Sequence, residues 1–498
     1  MILIKNAEII DGTGRPPFKA DVLIKDDKIS AIGNFVSQKA DLVIDALGSQ
    51  LTPGFIDVNT DSDHYLSIFT EPRQRDFLLQ GVTTIFGGQC GSSLAPLLYG
   101  TLESIRKWTD PNQINVGWHT VAEFLRVLER QGLGVNFGTL IGHSTIRRAL
   151  IGETLRDLTV GELEVFKQLV GDGLEEGAFG LSTGLGYAHA RQVPYAEIRL
   201  LAEIVAKHNG VYATHLRNEK EGLLSSIAET LRLGKEAGVK TIVSHLRPLI
   251  GYENDFVAGL EALEHDGGKL DIHFDSYPFD TSLVAIYTLL PDWAKNGGLE
   301  IMLTNVKTPF LRTRLLKELP VARANDVIIV QAPRADYLVG KTLGQFASNQ
   351  DLGLKEGLLK LMIITNMRAV ILYKNVNMDL AIQSLGREQA LVASNGPSLV
   401  ETASAVKHER LLNTFPKFLE IATSTKMMPI EAAIKKLTST PAQKFNLADR
   451  GVIKEEKIAD LVLMKNSKIS HVFVNGKLAV KDGSLENILA GKVLRRAE

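Results

Sequence analysis

The chain reads as an α/β protein built on a (β/α)8 barrel of the TIM type, and three observations predict this. From Leu51 onward, short apolar runs alternate with segments of helical periodicity, the pattern of a parallel sheet. Eight such runs stand out: Gly54–Val58, Thr83–Phe86, Phe137–Ile141, Ala178–Leu181, Val211–Thr214, Thr241–Ser244, Leu270–Phe274 and Ala390–Ala393. Residues of chemical character sit just past their carboxyl ends, where barrels collect ligands.

The elements follow in order. Residues 1–50 read as short strands: ILIKNAEII, a DGTGRPP turn, then ADVLIKDDKISAIG with its own Asp-Asp turn. The C-terminus echoes them in IADLVLMKN and SHVFVNGKLAVKDG, with a hairpin turn at Asn475-Gly476. Both ends together predict one β-sandwich domain, residues 1–52 plus 446–498. The barrel takes 53–281 plus 367–445, about 300 residues, within the usual range for such folds. The clearest unit is VYATHLRNE, then SSIAETLRLGKEAG, then TIVSHLRP: strand, helix with a Gly stop, strand. Residues 282–366, with a helical LRTRLLKELP and a strand-like DVIIVQAP, read as an inserted subdomain that partly covers the pocket.

Composition excludes several classes. The 498 residues are 45% hydrophobic and 23% charged with a formal net charge of −1, so neither nucleic acid nor an anionic membrane is an expected partner. No apolar run approaches the roughly 18 residues of a membrane span. Charges interrupt the apolar start MILIKNAEIIDGTG, so no signal peptide is expected, and the default location is cytoplasmic. One cysteine, Cys90, rules out an intrachain disulfide.

The loops past the strands carry the chemistry. Strand one runs into Asn59, Asp61, Asp63 and His64; strand two into GGQCGSSLAP with Cys90; strand four into STGLGY with Tyr187. Strands five and six end in His215 and His245, strand seven in DSYPFD and strand eight in SNGPS. A thiolate and two imidazoles at equivalent ends of separate strands are a good zinc set with one position left for water. His143 and His189 lie near the same rim and are given no metal role, and Arg217 reads as a surface salt bridge.

Taken together, LTPGFID, GVTTIFGGQCGSSLAP, GAFGLSTGLGY, THLRNE, SHLRP, DSYPFD and the closing LTSTPAQKFNLADRGVIKEEKIADLVLM resemble the D-aminoacylase (N-acyl-D-amino-acid deacylase) branch of the amidohydrolase superfamily over essentially the whole chain. The resemblance implies a zinc-dependent hydrolase that cleaves the N-acyl amide of N-acyl-D-amino acids or related small molecules, using water activated by the metal. It implies one zinc on Cys90, His215 and His245, and a substrate carboxylate met by Arg247, Tyr277 and Arg410. Tyr187 is expected to line the acyl pocket.

Two departures stand out. The branch carries His-x-His after strand one, where this chain has Asn59-Thr60-Asp61, so a second metal site is expected to be lost, with Asp61 adding to the first. The branch ends strand eight in Ser-Asp-Gly, and here the aspartate position is Asn395, whose amide cannot take up a proton near neutral pH. Asp61 or Asp63 is the nearest substitute base by position, and Asp63 is the one assigned that role. The alternative is a catalytically silent homologue that keeps one metal and binds a small ligand.

Overall fold

The computed structural model describes every residue except 100–101, 107, 268, 296–297, 321–322, 401–406 and 497–498. Each expected barrel strand is present: Phe55–Asp57, Val82–Gly87, Asn136–Thr139 continued by Ile141–Gly142, Gly180–Gly184, Val211–His215, Lys240–Val243, Ile272–Ser276 and Ala390–Val392. Neighbours pair in parallel from first to last. The ring closes where the Asn395 N–H donates to the Asn59 carbonyl at 2.9 Å and the Asp61 N–H to the Gly396 carbonyl at 3.1 Å. Closure removes the sheet's free edges, and it also sets the first and last loops side by side.

Side chains alternate across the barrel wall, as a two-residue period requires. Phe86, Ala213 and Ile242 join one cluster with Ile56, Leu140 and Leu391, while their neighbours Ile85, Tyr212 and Val243 pack into the surrounding cores. Phe445 sits in the first cluster, its ring stacked on Phe86 at 3.8 Å. The helix Leu223–Ala237 ends at Gly238, whose φ of 64° only glycine adopts cheaply. Among the described residues no helix is long and apolar enough to cross a membrane.

The two ends of the chain meet in one nine-stranded sheet, joined where Gln50–Pro53 runs antiparallel to Leu461–Lys465. Both faces are used: Leu461 and Leu463 pack with Ile4, Ile9 and Val22, whereas Val462 and Met464 pack with the barrel's outer core. The insertion holds a three-stranded antiparallel sheet of Thr281–Ala285, Val327–Gln331 and Val370–Lys374. Its third strand lies beyond residue 366, where the insertion was expected to end. The strand-like run there is the partner that the first two strands need for their hydrogen bonds.

A buried polar network locks the terminal sheet to the barrel floor. The Asp460 carboxylate accepts from Arg450, from Asn136 Nδ2 at 2.9 Å and from the Asn475 N–H at 2.7 Å, and Asn475 Nδ2 donates to Asn136 Oδ1 at 2.7 Å. Removing one partner strands the others away from water. Asp460→Ala should lower stability by about 3–5 kcal/mol in chemical denaturation, and a loss below about 1 kcal/mol would show that the network is dispensable.

Candidate metal centre

The barrel brings three loops together over its carboxyl end. Cys90, His215 and His245 each offer one ligand atom, and these atoms all lie within 4.8 Å of one another. Cys90 Sγ is 3.4 Å from His245 Nε2. Tetrahedral zinc, with bonds of about 2.3 Å to sulfur and 2.0–2.1 Å to nitrogen, sets these atoms about 3.6 Å apart. The two imidazole rings stand nearly perpendicular with centroids 4.5 Å apart. The residues present therefore fit a single zinc ion.

The backbone works to hold this arrangement. Cys90 has φ 52°, His245 φ 41° and Asn395 φ 45°, all in the left-handed region that non-glycine residues avoid. Each is tied down. Ser182 Oγ donates to the Gly88 carbonyl and accepts the Gly91 N–H at 3.0 Å, so it spans the loop that presents Cys90. The Asp275 carboxylate accepts the His245 N–H at 2.9 Å, and Asn395 is held by the closing hydrogen bond to Asn59. Gly186 keeps the mouth open, because a Cβ there would come within 2.7 Å of His215 Nε2.

Glu219 links Arg247 to the two histidines of the cluster. Its carboxylate lies 3.7 Å from His215 Nε2 and 3.3 Å from His245 Nδ1, and it takes Arg247 Nη2 on both oxygens at 2.8 and 3.0 Å. Burial pushes the Glu219 carboxyl up, but Arg247 and the two histidines outweigh it and hold the group well below the usual range. The sequence reading passed over Glu219, although THLRNE places it four residues after His215. It also passed over Asp275 and Ser182, which work through contacts across strands.

The other expected residues fall as follows. Asp61 lies outside the three-residue donor cluster and accepts His64 Nδ1 at 2.9 Å, while His64 Nε2 donates to the Ser92 carbonyl at 2.9 Å. With acceptors on both nitrogens, His64 is an imidazolium: burial works against the charge, but Asp63 and Asp61 raise it to about 9. Asp63 Oδ2 accepts the Gly88 N–H at 2.7 Å, and its buried Oδ1 has no hydrogen-bond partner. Burial lifts its carboxyl above the ordinary value, against the pull of His64. Arg247, expected to meet a substrate carboxylate, gives Nη2 to Glu219 and Nη1 to Ser282 Oγ at 2.9 Å, keeps its buried Nε without a hydrogen-bond partner among the described residues, and stands beside Tyr277. Arg410 stands over the Tyr277 ring at 4.6 Å and gives Nη2 to the Asn395 carbonyl at 3.0 Å. Its buried Nε and Nη1, and Tyr277 Oη, have no hydrogen-bond partner among the described residues. Tyr187 packs 4.8 Å from the His215 ring. Asn59 Nδ2 donates to both oxygens of Asp275 at 3.2 and 3.3 Å. Arg217 pairs with Glu229, His143 with Glu197, and His189 lies between Ser144 and Arg148.

The amidohydrolase family profile matches residues 365–479, and a barrel with imidazole and thiolate donors at its mouth agrees with that class. An L-hydantoinase from Arthrobacter aurescens shares the fold at a TM-score of 0.57 and 14% identity. Much nearer is the D-aminoacylase of Alcaligenes xylosoxydans xylosoxydans, 27% identical over 99% of this chain and 97% of that protein. The N-acyl-D-glutamate deacylase of the same organism is 26% identical over 99% and 96%. A D-aminoacylase crystal structure superposes with a TM-score of 0.80 at 26% identity, covering 99% of both chains. The N-acyl-D-glutamate deacylase of Bordetella bronchiseptica, complexed with zinc and a phosphonate inhibitor, does so at 0.80 and 25%, again over 99% of both. The chain is thus a full-length homologue of the D-aminoacylases and N-acyl-D-amino-acid deacylases and carries an amidohydrolase domain.

Carboxylates that orient ligating histidines are worth about 10–100-fold in metal affinity. Glu219→Ala should weaken zinc binding by that factor in competition with a chromophoric chelator. Unchanged affinity would remove Glu219 from the support of the site.

Proposed function

We propose that the protein is a mononuclear zinc hydrolase that cleaves the N-acyl amide of N-acyl-D-amino acids. The observation that carries this is the Cys90, His215 and His245 cluster, intact and correctly spaced in a chain aligned end to end with deacylases. Zinc held by these residues would polarise the scissile carbonyl and bring the pKa of water to about 7.

The chain's own residues supply the rest. Arg410 and Tyr277 meet the substrate carboxylate, for which two unpartnered guanidinium N–H groups and a phenol are a suitable set. Arg247, held by Glu219 and with its Nε unpartnered beside Tyr277, adds its charge to theirs, and Tyr187 flanks the acyl group beside His215. Asn395 can donate a hydrogen bond from its amide and cannot accept the proton. Of the nearby carboxylates, Glu219 is bound to Arg247 and kept ionised, and Asp61 is held by His64. Asp63 keeps one oxygen unpartnered and a raised proton affinity, which suits a base.

The single-metal reading is supported by Asp61, whose charge is spent on His64. The silent-homologue alternative gains nothing from the structure, since the donor set is complete.

The purified, zinc-loaded protein should release acetate from N-acetyl-D-amino acids and leave the L-enantiomers untouched. Asp63→Asn should lower kcat by about 10²–10⁴ with zinc content retained. Full activity in that variant would place the proton elsewhere, and no turnover of any N-acyl-D-amino acid by the wild type would reject the reading. A chelator should abolish turnover and added zinc restore it.

A further inference from the structure

Of the ionisable side chains in the loop after strand one, His64 is the most enclosed, with no exposed surface. Its Nδ1 donates to Asp61 Oδ1 and its Nε2 to the Ser92 carbonyl, each at 2.9 Å, while Asp63 Oδ2 lies 4.0 Å from Nε2. The Trp108 indole, from the loop after strand two, stacks on the ring with centroids 4.2 Å apart and planes 13° from parallel. A cation against an indole face is attracted to it, and the indole also keeps water away. Trp108 in turn meets Tyr187 edge-on at 6.3 Å, and Tyr187 lies beside His215, so the cluster adjoins the barrel mouth.

Two carboxylates and one imidazolium leave one negative charge, and the distances decide where it stays. His64 is hydrogen-bonded to Asp61 and out of hydrogen-bond reach of Asp63, so Asp61 is the carboxylate it neutralises. Burial drives both carboxyls up. At Asp61 the bond to His64 more than offsets this and holds the group below its ordinary value, whereas Asp63 stays above its own. Asp63 is fixed independently of the pair. Its Oδ2 takes the Gly88 N–H at 2.7 Å, and its carboxyl lies against Gly87, where a Cβ would come within 2.9 Å of the carboxyl carbon. Its Oδ1 is left unpartnered. Two neighbouring carboxylates pushed apart in this way divide into a spectator and a base.

We infer that His64 is a positioning residue of the reaction: by pairing with Asp61 and sparing Asp63, it decides which of the two aspartates takes the proton from the attacking water. The inference rests on the deacylase reading above, with Asp63 as its base. Trp108 serves the same end by sealing the pair from solvent.

The test is a double-mutant cycle on the zinc-loaded full chain, with zinc content and thermal unfolding measured to confirm that each variant is folded. Asp61→Asn leaves the imidazolium to Asp63. Its kcat for N-acetyl-D-amino acids should fall about tenfold or more at unchanged KM, because an opposite charge within reach weakens a carboxylate's hold on a proton by at least that factor. Removing the imidazolium as well, in Asp61→Asn/His64→Gln, should raise kcat again by about fivefold or more, a coupling expected between residues in contact. A double variant no faster than Asp61→Asn alone overturns the inference, as does an Asp61→Asn enzyme as fast as the wild type; both leave the deacylase reading standing. A second measurement needs no variant. With nitrogen-15-labelled histidine, the wild type should retain one ring protonated on both nitrogens at about pH 8, where an ordinary histidine is neutral. Absence of that ring also overturns the inference. No turnover of any N-acetyl-D-amino acid by the wild type removes both readings.

Discussion

Everything at the mouth of this barrel depends on three donor atoms from three separate loops converging within a few ångströms. No short stretch of chain could do this. Cys90, His215 and His245 are 155 residues apart at the extremes, and only closure of the eight-stranded ring brings their strand ends over one point. The left-handed backbone at Cys90 and His245 costs energy that the surrounding packing must offset. Ser182 and Asp275 provide part of that support from the neighbouring strands. The site is built by the sheet as much as by its ligands.

Charge around the centre is partitioned rather than pooled. Glu219 holds the two histidines and Arg247; Asp61 holds His64; Asp275 is divided between the His245 backbone and Asn59. Each pairing takes a group out of competition for the metal or the substrate. Among the buried polar atoms left without a partner are Asp63 Oδ1, Asn59 Oδ1, Arg247 Nε, and Nε and Nη1 of Arg410.

Much of this was legible in the sequence. Alternating runs gave all eight strands, and the strand-end positions of His215, His245 and Cys90 gave the cluster, because a barrel converts position along a strand into position around a ring. The Gly stop at Gly238 was equally plain. What stayed hidden depends on orientation across strands. The Arg247–Glu219 pair stayed hidden because nothing in SHLRP shows that one nitrogen of its guanidinium turns to Glu219. The Asp61–His64 pair was hidden too, because it is set by how the loop after strand one folds. The third strand of the insertion, Val370–Lys374, was assigned to the barrel side of residue 366, since a short apolar run does not declare which sheet it joins.

The central claim is that this constellation holds one zinc on Cys90, His215 and His245. Anomalous diffraction at the zinc edge from crystals grown with zinc tests it most directly. The account predicts a single peak at the barrel mouth, bonded to the sulfur and one nitrogen of each histidine. No peak there, or a second of equal height beside Asn59 and Asp61, would contradict it.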